Sequence, residues 1–140
     1  MDYAKWIVAA IAIFNFGGFI ADAVIPFTAK QHLYNPHWPP HAKFHNCQTM
    51  LIGIGLGLLS LYILFGFRPL ELTMFYLAAA IAGLYFVSML LAPIFPGTAW
   101  QDPQFVQETP MPFGLHPQKI VASFVCGLLI FACILANIIK

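Results

Sequence analysis

Charge is what this chain has least of. Only six of its 140 residues are Lys or Arg and five are Asp or Glu, 8% together, where an ordinary soluble domain carries about 25%. So few charges cannot clothe a water-facing surface of this size, which excludes a soluble globular domain and a disordered chain. A net charge of +1 offers no field to hold a polyanion, so nucleic acid is excluded as a partner. Cysteine is sparse as well. Cys47, Cys126 and Cys133 show no CxxC spacing, so neither a disulfide framework nor a thiol redox motif is expected, and Cys126 and Cys133 read as small apolar packers on one helical face. The chain has no phosphate-binding loop, no dinucleotide fingerprint, no Gly-x-Ser-x-Gly elbow and no CxxCH haem attachment site. Alternating segments of about 10 residues are absent too, which excludes a membrane barrel.

Hydrophobic residues make up 61% of the chain. They fall into four runs: Trp6–Phe27, interrupted by Asn15 and Asp22; Asn46–Phe67; Leu72–Phe95; and Ile120–Ile139. Each reaches the length of about 20 residues that a helix needs to cross about 30 Å of hydrocarbon. In lipid the backbone must satisfy its own hydrogen bonds, so the runs read as helices. The expectation is an all-α, multi-pass integral membrane four-helix bundle forming one transmembrane domain over residues 1–140, with spans at about 6–27, 41–67, 70–95 and 118–139. The first span has a weak signal-peptide character (Lys5 before it, Ala21-Asp22-Ala23 near its end) and is read as retained. Ten of the eleven prolines lie in connections or at span ends; Pro93, near the end of the third run, should kink or stop that helix. Arg68-Pro69 marks a tight turn. The other connections, about 28–45 and 97–119, are long, and four crossings put both on one membrane face. Lys5, Arg68 and Lys140 then oppose Lys30, Lys43 and Lys119, a tie by the positive-inside rule; the longer loops are placed outside and both termini in the cytoplasm. Gly53/Gly57, with Gly55, and Ala78/Ala82 with Ala79/Gly83 form small-residue stripes for close helix packing or homo-oligomerisation.

All five histidines, His32, His37, His41, His45 and His116, fall on the long-loop side. Pro39 or Pro40 suits the first turn of a helix, so the second helix should begin there and carry His41 and His45 one turn apart on one face. Two imidazoles so spaced can reach one ion. Asp22 lies about a turn inside the first span, and a carboxylate at that depth costs about 2.5–3.5 kcal/mol on insertion scales. It therefore needs a partner, for which His41, His45 and Lys30 are the candidates. Tyr85, Ser88 and Ser123 offer further polar groups at the same end. Trp6, Trp38 and Trp100 read as interfacial anchors, and Asp102 and Glu108 as solvated loop charges.

The run Asn35-Pro36-His37-Trp38-Pro39-Pro40-His41-Ala42-Lys43-Phe44-His45-Asn46 resembles the signature of a small uncharacterised family of four-helix integral membrane proteins, some members of which carry an acetyltransferase label. The resemblance implies a four-span layout and a block that acts as a unit, and it supplies no mechanism.

Three readings follow. In the first the protein is a membrane enzyme acting on a lipophilic small molecule, with Asp22, His41 and His45 as catalytic residues. Its metal version has iron, copper or zinc held by His41 and His45 with His37, His32 or His116; its metal-free version pairs Asp22 with a histidine as acid and base. Haem is less favoured, because these histidines sit at one end rather than inside the spans. The second reading is a non-catalytic membrane subunit or ligand-binding protein, within a homo-oligomer or larger membrane complex. The third is a small transporter.

Overall fold

The computed structural model describes residues 2–138. Four long apolar helices dominate it: α1 (Asp2–Val24), α2 (Pro40–Gly66), α3 (Leu72–Ile94) and α4 (Pro117–Ile138). Helix α1 starts and ends earlier than the apolar run suggests, because the chain turns out of it at Ile25, where the backbone is extended ahead of Pro26. Ile139 and Lys140 lie outside the described residues, and with Lys140 one member of the charge tie.

Helix α1 is not regular. It is α-helical over Asp2–Phe14 and Gly17–Phe19 and π-helical over Ile20–Val24. The break sits at Asn15, which is fully buried. Its amide nitrogen donates to Ile11 O (3.2 Å) and across the bundle to Ala82 O (2.9 Å). A side chain that bonds the backbone four residues earlier competes with the helical ladder. Helices α2 and α4 open as their prolines dictate, with Pro40 and Pro117 in the first turn, where a missing N–H costs nothing. The α-helical part of α3 stops at Leu91, and Ala92-Pro93-Ile94 tightens into a 3-10 turn, the effect expected of Pro93. The α2–α3 turn is short and contains a cis Arg68–Pro69 bond.

Each helix packs on its sequence neighbours, α4 closes the ring on α1, and α1 touches α3 across the diagonal. Small residues, among them Ala4, Ala12, Ala78, Ala82, Ala122, Ala132 and Ala136, make up much of the core, around large side chains such as Leu64 and Phe75. A Cβ on Gly57 would run into Ala12 O, and one on Gly53 would sit 2.9 Å from Asn15 O. The Gly53/Gly57 stripe thus seats α1 of the same chain, which is how helices approach when lipid gives no hydrophobic drive. Gly55 has open space instead and takes no part in that groove, because two residues along a helix turn it to the other side. On α3, Gly83 lies against Leu129 of α4, and Ser60 Oγ donates to Ala78 O at 2.9 Å. Large apolar side chains such as Leu51, Leu58, Leu84, Ile130 and Phe131 point away from the protein. In water such a surface would be a liability; it is consistent with helices bathed in lipid.

The two long connections meet at one end of the bundle. Lys30 pairs with Glu108 (2.5 Å), and Trp38 Nε1 donates to Asp102 Oδ2 (2.7 Å). Asn35, fully buried, accepts the His37 N–H at 2.9 Å and reaches Asp102 and Gln104 at 3.4 Å. Asp102 and Glu108 are therefore not free loop charges: they knit the second connection to the first.

Candidate functional site

The five histidines occupy separate surroundings. His41 and His45 do stand one turn apart on α2, with their Nε2 atoms 3.0 Å from each other and His45 Nδ1 3.2 Å from Gln48 Oε1. Both are exposed, because this face of α2 turns away from the bundle. His37 is exposed in the first connection, and His32, half-buried in the same connection, donates from Nδ1 to Thr28 O at 2.9 Å. His116 is buried against the second connection.

Asp22 lies on the π-helical turn. Its Oδ2 accepts from Asn46 Nδ2 at 2.7 Å, and its Oδ1 is 3.4 Å from His32 Nδ1. Among the described residues no hydrogen bond or ion pair joins it to His41, His45 or Lys30. A seven-residue step such as that from Asn15 to Asp22 keeps one face only in an unbroken α-helix, and the π turn over Ile20–Val24 breaks that register.

No group of three or more His, Cys, Asp or Glu side chains among the described residues is placed to hold a metal ion. This overturns the metal reading of His41, His45, His37, His32 and His116, and with it a transition-metal cofactor of iron, copper or zinc and a metal-dependent enzyme built on a His/Asp-rich end. The physical reason is orientation. The HxxxH pair looks outward, Asp22 looks inward, and His116 belongs to a different connection.

What the two connections do enclose is a cleft of about 240 Å³, lined by His32 and Trp38 from the first and by Trp100, Asp102, Phe105, His116 and Gln118 from the second and the start of α4. His116 precedes Pro117 and acts as the cap of α4: its Nδ1 accepts the Gln118 N–H at 3.3 Å, while its Nε2 donates to Gln101 Oε1 at 3.0 Å. A helix start leaves N–H groups without partners, and a side-chain acceptor supplies one. Burial pulls the His116 imidazole below its ordinary value of 6.5, and accepting at Nδ1 needs the neutral ring. Trp100 stacks on His116 at 19° between planes, and His32 meets Trp38 edge-on. Trp38 and Trp100, two of the three tryptophans read as membrane anchors, thus line the cleft. Below it, a groove of about 550 Å³ runs between α1 and α4 along Ile7, Ile11, Phe14, Val121, Val125 and Leu128.

Sequence reasoning missed Asp102, Asn35 and Gln118. The one local signal was His116-Pro117, a capping residue before a proline; the rest is set by how two loops fold together.

The architecture is that of an all-α chain with four helices of membrane-span length, consistent with a multi-pass integral membrane protein. The chain belongs to the family of unknown function DUF6640, whose family model matches residues 7–130. That description carries no acetyltransferase label. Neither the curated proteins nor the solved structures contain a match to the chain.

Proposed function

We propose that the protein binds one amphiphilic molecule of the membrane, its polar head in the cleft between the two long connections and its apolar tail in the groove between α1 and α4. The carrying observation is the register of α4. Gln118 lines the cleft, and Val121, Val125 and Leu128 line the groove. These residues are spaced at i, i+3, i+7 and i+10, on one helical face, so a single stripe of α4 borders both the polar cleft and the apolar groove. Sites for small molecules are concave, mostly apolar and oriented by a few polar groups. The cleft is below the roughly 300 Å³ at which such sites usually begin, which suits a head group rather than a whole ligand.

The test is mass spectrometry of the purified protein under non-denaturing conditions, with Val121→Trp to fill the groove. Wild type should keep one lipid-like molecule per chain through detergent exchange, and Val121→Trp should lose it while retaining its thermal midpoint. A bare wild-type chain that also binds no lysolipid saturably would refute the reading.

A further inference from the structure

The cleft is electrostatically lopsided. Asp102 is half-buried in its wall, and its carboxylate accepts only from neutral donors, Trp38 Nε1 at 2.7 Å and Asn35 Nδ2 at 3.4 Å. Among the described residues Lys30 is taken by Glu108, and His32 in the cleft wall turns its Nδ1 to Thr28 O and Asp22, so neither pairs with Asp102. No lysine or arginine lines the cleft. His116 adds no positive charge either, since its Nδ1 is occupied as an acceptor. A carboxylate without a counter-charge in a partly enclosed cleft attracts a cation more strongly than it would in open water. Around it stand three aromatic side chains, Trp38, Trp100 and Phe105. Aromatic faces attract a cation through their quadrupole and suit a quaternary ammonium, which has no hydrogen to donate.

We infer that the cleft selects an ammonium-bearing head group of the choline type, drawn to Asp102 and sheathed by Trp38, Trp100 and Phe105. The inference rests on the amphiphile reading above and specifies its head. An anionic head would meet Asp102 with nothing to offset the repulsion, and a neutral sugar would leave the carboxylate unanswered.

The experiment titrates the purified full chain in a non-ionic maltoside, following tryptophan fluorescence. Lysophosphatidylcholine is compared with lysophosphatidylglycerol of the same acyl chain, and with choline alone. Lysophosphatidylcholine should bind at least ten-fold more tightly than the glycerol lipid. Choline should compete for the same site at much higher concentration, since it lacks the tail. Asp102→Asn keeps an oxygen to accept from Trp38 while removing the charge, and should abolish the preference without lowering the affinity for the glycerol lipid. Trp100→Leu should weaken lysophosphatidylcholine several-fold, and Trp100→Phe should restore most of the loss; this pair guards against a fold defect in the aspartate variant. Equal affinity for the two lysolipids overturns head-group selection and leaves the amphiphile reading standing. Choline binding as tightly as the lysolipid keeps the head and overturns the tail. Saturable binding of none of the three overturns both.

Discussion

Helix α2 carries two faces built on the same spacing, and they do different things. Its outward face bears His41 and His45 four apart, followed by Gln48 and Thr49, all exposed. Its inward face bears Asn46, Gly53, Gly57 and Ser60, which meet Asp22, Asn15, Ala12 and Ala78. The outward face looks like a chelating motif and touches little beyond itself. The inward face looks like filler and joins α2 to both of its neighbours. Spacing along a helix says which residues are neighbours; it does not say which way they are turned. In lipid, hydrophobicity cannot settle the direction, since both sides are apolar. Small size can, because close approach needs it.

The largest effect should come from the inward face. Gly57→Val would drive a side chain into the Ala12 carbonyl, and backbone cannot step aside as a side-chain tip can. Overpacking of this kind costs about 3 kcal/mol, and the thermal midpoint in detergent should fall sharply, whereas Gly55→Val, which meets open space, should leave it in place. Equal effects at the two glycines would remove the distinction between the faces. Next, Asp22→Ala would strand the Asn46 amide beneath the first connection. Loss of a buried partner costs about 1–3 kcal/mol, and hydrogen exchange around His32 and Asn46 should quicken.

The acid response sharpens the contrast between His116 and the exposed pair. The folded protein holds the His116 value below the ordinary 6.5, so below 6.5 the unfolded chain takes up its proton first. The stability His116 contributes is therefore complete above that value and is lost as pH falls through the lowered, folded one. Protonation also removes the cap on α4 and places a positive charge in the cleft that Asp102 lines, so lysophosphatidylcholine affinity should drop several-fold as pH falls through that lowered value. His116→Gln should flatten that profile. The smallest effect belongs to the outward face. Replacing His41 and His45 together by alanine should change stability by about 0.5 kcal/mol or less, as for surface sites generally, and leave lysolipid binding unaltered. A large loss of binding there would return the HxxxH pair to the functional site.

The four apolar runs were legible because length and hydropathy suffice for them, and Pro40, Pro93 and Pro117 mark helix boundaries through their missing N–H. The α1–α2 seam was half legible: Gly53 and Gly57 were visible as a stripe, but their partner could have been α1 or a second chain. The cleft was not legible. Trp38 and Asp102 lie 64 residues apart, and nothing local connects them. The histidines misled because polar residues gather in loops whatever their use, while Asp102 carried no pattern to draw notice.

The π-helical turn at Ile20–Val24 has a consequence of its own. It holds one residue more than an α-helical turn would, so everything beyond Ile20 is rotated by about 100° from the position a helical wheel assigns. Asp22 reaches Asn46 by virtue of that surplus residue. Deleting any one of the five would leave the composition, the hydropathy and the span length nearly untouched, yet would re-aim the carboxylate and shift where the first connection starts. The chain's sensitivity there is to counting rather than to chemistry, and a deletion scan would find it where a substitution scan would pass it by.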